Sequence, residues 1–370
     1  MKKPKTKLKF KAPKRLSSFK LPKLGKRRAK GAEADTKLTE AIQNLPRITN
    51  ETVAEHREEV LSSARKYIYP LSHSKRRVVS ITISLLITAV VVFFVYCGLA
   101  LYKFHSTSGF IYGVTQVIPF PAAKAGSSWV SYESYLFELR HTMHYYRYQA
   151  QPREDFSTGP GKRHLAQLRQ QAMDKVLSDA YVKQLATKNH VSVSDQEVNA
   201  QVALVRQQNR LGSNDQVFKD VLSEFWGWTP DDFKRELKQQ LLSQKVVAKL
   251  DTATSQRAQS ALNQLNNGAD FATLAKQVSD DTSTKANGGD YGIAIAQSTS
   301  DIAPQVTSEL FKLQPGQHSG IINTGYALEI DKANSMDNGK IHASHIVFNF
   351  QNINTYTNPL KANQKPHKFI

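Results

Sequence analysis

The chain has 370 residues, 40% of them hydrophobic, enough for two or three domains with cores of their own. Its net charge of +19 is unevenly placed: up to Arg77 there are 22 Lys and Arg against 7 Asp and Glu, so about +15 sits in the first fifth of the chain. A single cysteine, Cys97, excludes an internal disulfide framework and any multi-cysteine zinc site.

Residues 1–77 form a basic region. Its first 32 residues mix Lys, Arg and Pro with isolated Leu and Phe at no regular period, which predicts a disordered arm. Such an arm suits anionic lipid headgroups; phosphate contacts with RNA or DNA are the rival reading, and nucleic acid is not the expected partner. From Thr52 a short helix is expected, with Thr52 and Glu55 as a capping box, Val53, Val60 and Leu61 near one face, and Pro70 as its stop.

Val78 to Tyr102 is an uncharged run of 25 residues, long enough to cross a bilayer core of roughly 30 Å. "HSKRR" just before it places the N-terminus in the cytoplasm by the positive-inside rule and everything beyond Tyr102 outside. A cleaved signal peptide fits less well, because the stretch before the apolar run is too long and no A-x-A site follows. The run is therefore expected to be an uncleaved single-pass anchor in the cell membrane.

Residues 125–251 read as a helical module. Leu165, Leu168, Val176, Leu177, Ala180 and Leu185 repeat with the helical period, Ser194 and Glu197 cap a helix that Gly212 stops, and Thr229 with Pro230 opens another. His141 and His144 stand three apart on one helix face without a supporting carboxylate or cysteine cluster, which favours structural histidines over a metal pair. After Asp251, Gly, Asn, Thr and Asp break the chain into shorter units: two helices, then strands in "GGDYGIAI", "IINTGYALEIDKA" and "KIHASHIVFNF". The fold class is α+β, with residues 252–352 as the second domain and 353–370 as a tail.

"NNGADFATLAKQVSDDTSTKANGGDYG" followed by "LFKLQPGQHSGIINTGYALEIDKA" resembles the body of a parvulin-type peptidyl-prolyl isomerase. "VIPFPAAKAGSSWVSYESYLFELR" through "WTPDDFKRELKQQLLSQKVV" resembles the N-terminal chaperone module of SurA-type foldases. The first resemblance implies an antiparallel sheet with helices and the isomerisation of X-Pro bonds. Parvulins begin with a strand of the form Ala-x-His-Ile-Leu; none precedes Ser255, whereas "HASHIVF" supplies it at the other end. The expectation is a circular permutation; the alternatives are a truncated second repeat, which would leave the sheet short of a central strand, and an unrelated edge strand.

By resemblance His345 takes the place of the family's first active-site histidine, Asp281 that of its cysteine or aspartate, and Thr324 stands near its serine or threonine. The proline pocket falls on Tyr291, Ile302, Val306 and Phe311. Ala327 replaces the second histidine of the family pattern. Residues 342 and 345 of one strand face opposite ways, which argues against a His342/His345 metal pair. The resemblance implies no cofactor and no metal, and unfolded or secreted polypeptides as partners. A membrane-anchored extracytoplasmic foldase is the expected function; a non-catalytic holdase is the alternative.

Overall fold

The computed structural model describes residues 49–68, 71–208 and 214–370. Residues 1–48, with the expected disordered arm, and Pro70 and Gly212 with their expected stops, lie outside the described residues. The chain divides into two units, residues 1–88 and 89–370. In the first, helix α1 (Asn50–Ile68) begins earlier than its pattern suggested. Thr49 N donates to Thr52 Oγ1 at 3.0 Å and Thr52 N to Thr49 Oγ1 at 3.3 Å, so the reciprocal cap is Thr49 with Thr52 and not Thr52 with Glu55. Val53, Val60 and Leu61 are exposed.

Helix α2 (Leu71–Gly98) runs into a π-helical segment (Leu99–Lys103). The stretch Arg77–Lys103, of mean hydropathy 2.8, is long and apolar enough to cross a membrane. Its last residues also belong to the second unit's core. Ala100 and Leu101 are buried, Tyr132 donates its hydroxyl to the Leu101 carbonyl at 2.6 Å, and Tyr102 donates to that of Pro121 at 2.8 Å.

The helical module of the second unit holds α3 (Gly109–Val117), strands β1 (Pro121–Ala125) and β2 (Ser128–Ser131), and helices α4 (Tyr132–Tyr148), α5 (Gly159–Lys188), α6 (Asp195–Gln208), α7 (Asp215–Trp226) and α8 (Pro230–Leu250). Thr229 and Asp232 cap α8 reciprocally, with Pro230 in its first turn, and Ser194 and Glu197 do the same before α6. The apolar repeat of α5 faces inward as Leu168, Val176, Leu177 and Tyr181, against Tyr132, Leu136 and Leu139 of α4. His141 packs edge-on to Phe137, and His144 bonds the Glu224 carbonyl at 3.0 Å.

The small sheet is a feature that helical periodicity could not announce. Its third strand, β7 (His367–Lys368), pairs with β1 and comes from the segment read as a tail. Helix α12 (Asn354–Asn363) precedes it, with Leu360 packed against the module core. Tyr181 donates to the Gln364 carbonyl at 2.6 Å, and Trp129 stacks on Phe369. Residues 353–370 are thus bound into the module.

The second domain comprises α9 (Thr252–Asn266), α10 (Phe271–Val278), β3 (Asp290–Ile295), α11 (Pro304–Leu310), β4 (Ile322–Asn323), β5 (Ala327–Asp337) and β6 (Lys340–Asn349). Its four strands form an antiparallel sheet in the order β3-β6-β5-β4. Asn338 and Gly339, both with positive φ, make the tight turn that folds β6 back on β5. So β6, the last of these four in sequence, is central. One face of the sheet, with Leu328, Ile330, Ile346 and Phe348, packs on α9 and α10. The other face carries Ala333, Ile341 and Ala343 against Ile302, Val306 and Leu310.

Where the chain enters and leaves this domain, buried Asp251 joins the two crossings. Its carboxylate accepts from Thr254 N at 3.1 Å, capping α9, and from Gln351 N at 2.8 Å, just beyond β6.

Candidate active site

The site is built on β6 and the loop that follows α10. Beyond the end of β3 the edge of β6 is closed by that loop: Asp280 N donates to the Val347 carbonyl at 2.7 Å, Val347 N to Ser279 Oγ at 3.1 Å, and Asn349 N to Asp280 Oδ2 at 3.0 Å. Arg257 of α9 clamps Asp280 at 2.6 and 3.1 Å. Asp281 is thereby held over the sheet face that β6 presents at residue 345.

His345 is buried on that face, whereas His342, three residues earlier, is exposed. His345 Nε2 lies 2.9 Å from Asp281 Oδ2 and 2.9 Å from Thr284 Oγ1. Thr284 donates its single hydroxyl proton to the same Asp281 oxygen at 2.6 Å, and Ser283 donates to Oδ1 through both N, at 3.0 Å, and Oγ, at 2.6 Å. Burial pushes the Asp281 pKa up, but these hydrogen bonds outweigh it and hold the carboxyl well below the usual carboxylate range. An ionised Asp281 accepts only, so Nε2 must carry the proton between them, and Thr284 accepts from it as well.

The opposite side of the imidazole faces β5. Asp331, fully buried, is the register partner of His345, and Glu329 Oε2 stands 3.6 Å from Nδ1, an ion-pair distance and too long for a hydrogen bond. Tyr291 lies against the His345 ring with centroids 4.1 Å apart and donates its hydroxyl to Asp331 Oδ1 at 2.8 Å. Asp331 Oδ2 and His345 Nδ1 are buried without a hydrogen-bond partner among the described residues, a cost of about 1–3 kcal/mol each. Burial, then Glu329, push the Asp331 pKa up to about 7. Burial opposes charge on His345, yet Glu329, Asp331 and Asp281 together raise its pKa.

These contacts owe their register to one irregularity. Pairing runs straight from the Asn338–Gly339 turn to Ser335 opposite His342, and resumes at Ala333 opposite Ala343, leaving Asn334 as an extra residue. Asn334 Nδ2 donates to Ser344 Oγ at 2.8 Å and anchors the bulge. Were that residue paired opposite Ala343, His345 would face Lys332. Instead it faces Asp331, with Glu329 on the same face.

The other expected site residues fall as follows. Tyr291 and Phe311 are half-buried beside the cluster of Ile302, Val306 and Leu310, while Val306 is fully buried and Ile302 nearly so. Both aliphatic residues are core, so of the four expected pocket residues only the aromatic pair keeps exposed surface. Thr324 closes the turn before β5, its hydroxyl donating to the Ala327 carbonyl at 3.1 Å. The hydroxyl that reaches His345 belongs to Thr284. Ala327 is buried opposite Asn349, four residues along β5 from the partner of His345.

Comparison with known proteins matches residues 71–247 to the model of the SurA-like N-terminal domain and residues 241–335 to that of the PPIC-type PPIASE domain, also called rotamase. A foldase protein PrsA of Caldanaerobacter subterraneus is 27% identical over 183 residues, 47% of this chain and 59% of that protein. Foldase protein PrsA 3 of Bacillus anthracis is 28% identical over 185 residues, 45% of this chain and again 59% of that one. The chain thus spans about three-fifths of the length of these curated relatives. A crystal structure of foldase protein PrsA from Streptococcus pneumoniae aligns at 21% identity over 56% of this chain and 81% of that one, with a TM-score of 0.20, too low to bear on the architecture. The helical module is a SurA-like N-terminal domain, and a PPIC-type parvulin domain follows it.

Proposed function

We propose that this chain, a SurA-like N-terminal domain joined to a PPIC-type parvulin domain, is a foldase that catalyses cis/trans isomerisation of X-Pro bonds in secreted proteins. The observation that carries the reading is the pair Asp281 and His345, 2.9 Å apart and drawn from two segments that meet only through the sheet. Rotation of a peptide bond faces a barrier of about 18–20 kcal/mol and needs no nucleophile or metal to proceed. A site that excludes water and bonds the twisted, non-resonant amide better than the planar one lowers that barrier by differential binding. Tyr291 and Phe311 form an apolar shelf for the proline ring. The Nε2–H, Asp281 and Thr284 supply the polar side, with Thr284 in the part first assigned to Thr324.

The finer architecture belongs to the same proposal. Circular permutation accounts for a histidine strand that comes last of the domain's strands in sequence and sits between β3 and β5 in space, the central place that a truncated repeat would leave empty. Residues 78–102 anchor the chain in the cell membrane, with the basic N-terminal region cytoplasmic and in contact with anionic lipid, and the folding domains outside; the support is apolar length and charge placement alone.

A proline-peptide isomerisation assay on the full chain tests the activity. His345→Ala and Asp281→Ala are expected to lower kcat/KM by about 10²-fold or more, the range of a positioned proton-handling group. Activity unchanged by both removes the site. The alternative, a non-catalytic holdase, gains from Ala327 and from the exposed aromatic surface of Phe225 and Trp226, which stacks on Tyr145 and Trp228. Suppression of client aggregation by a chain without isomerase activity would favour it.

A further inference from the structure

We propose that Glu329, Asp331 and His345 form a binding site for one first-row divalent metal ion, Zn²⁺ in the first instance, on the floor of the parvulin domain. Each residue offers a ligand atom, and these atoms all lie within 4.8 Å of one another. The inference stands on four independent features of the cluster.

Proton placement comes first. His345 Nε2 is engaged by Asp281 and Thr284 and keeps its proton, so Nδ1 is the ring nitrogen left to ligate a metal, releasing any proton it carries as the ion binds. That atom is buried without a hydrogen-bond partner among the described residues, as is Asp331 Oδ2. Both residues are more than nine-tenths buried, so water does not satisfy them. Second, the surrounding shell is of the kind metal-binding histidines have: the remote ring nitrogen is held by a carboxylate, Asp281, and a ligating carboxylate is oriented by a donor, Tyr291, on its other oxygen.

The third feature is charge. Asp281, Glu329 and Asp331 surround one imidazole, and among the described residues none of the three carboxylates forms an ion pair with a lysine or arginine. A divalent cation supplies the missing charge. The fourth is spacing. Donors about 2.1 Å from one tetrahedral ion lie roughly 3.4 Å apart. His345 Nδ1 and Glu329 Oε2 are already at 3.6 Å, so small carboxylate rotations close the set. One imidazole with two carboxylates suits Zn²⁺ or Mn²⁺, whereas Mg²⁺ disfavours nitrogen ligands. The strand pair also explains why no metal motif stands in the sequence: the ligands sit on two strands whose register a bulge sets.

The site does not depend on the isomerase reading, and its test needs no prolyl substrate. Calorimetric titration of the full chain with Zn²⁺ is expected to show one ion per chain, with Mg²⁺ failing to compete. Glu329→Gln, an isosteric change at the cluster's solvent edge, and His345→Ala are expected to weaken binding roughly tenfold or more, while His342→Ala, on the exposed side of the same strand, leaves it unchanged. In wild-type protein the ¹⁵N resonance of His345 Nδ1 is expected to move on Zn²⁺ addition, read directly and without any variant. Absence of stoichiometric binding, binding indifferent to Glu329→Gln and His345→Ala, or a shift at Nε2 in place of Nδ1 overturns the proposal.

Discussion

His345 is defined as much by its backbone as by its ring. Its N–H donates to the Gly289 carbonyl at 2.8 Å, and Gly289 has φ +82°, a conformation that favours glycine. A Cβ at position 289 would stand 2.0 Å from the His345 carbonyl oxygen, a contact no flexible side chain can relieve. Gly289→Ala is therefore expected to destabilise the parvulin domain by about 2 kcal/mol or more, measured as a lower urea midpoint, and to disturb the Asp281–His345 pair. An unchanged midpoint would mean that the loop before β3 is not held where it is described. Both members of that pair were legible in the sequence, because "HASHIVF" and "VSDDTS" carry them in recognisable patterns. Thr284, Glu329 and Asp331 were not. Thr284 lies three residues past Asp281 in a loop whose path is set by backbone bonds to β6, and the two acids become neighbours of His345 only across strands.

At the scale of elements, the Asn334 bulge decides which chemistry the sheet presents. Side chains alternate faces, so a slip of one residue exchanges the two sides of a strand. Were Asn334 paired with Ala343 in an unbulged ladder, Lys332 would stand opposite His345 and Glu329 and Asp331 would turn toward α9 and α10; deleting Asn334 removes only the extra residue, so Ala333 stays opposite Ala343 and Asp331 opposite His345. The variant loses the Asn334–Ser344 hydrogen bond and keeps both the turn and the core register. The deletion variant is therefore expected to keep whatever Asp281→Ala-sensitive isomerase activity the parent has, with a stability, read from the urea midpoint, lower by about 1 kcal/mol at most; loss of that activity would show that the bulge does more than absorb one residue. The helices of the module were readable from period and caps, with Thr229 and Ser194 both capping as expected. Strands β1, β2 and β7 escaped because they are short, alanine-rich or two residues long, and because β7 finds its partner some 240 residues away, a distance no local pattern spans.

Across the whole molecule, stability should follow pH through a half-buried charge cluster in the SurA-like domain. Lys175 lies 2.8 Å from Asp179, 3.1 Å from Glu236 and 3.9 Å from Glu138. Burial pushes Glu138 up to about 7; Lys175 opposes this, and Glu236 and Asp179 add to it. An acid whose folded pKa exceeds its unfolded value binds more protons in the folded state between the two, so its contribution to stability declines as pH rises from about 4.5 to 7. Glu138→Gln removes that decline. Relative to wild type the variant is expected to gain stability between pH 5 and pH 8, compared by urea midpoints at both; a difference independent of pH would refute the assignment. His141, which burial pulls down to about 4, acts in the opposite sense, so the comparison with the parent is the informative quantity. Finally, the central place of β6 governs when the parvulin domain can exist during synthesis. A ribosome makes residues 252–339 first, yet β3 and β5 have no partner in common until 340–349 arrive. The nascent domain must wait, three of its four strands made and His345 still to come, for the strand that closes it.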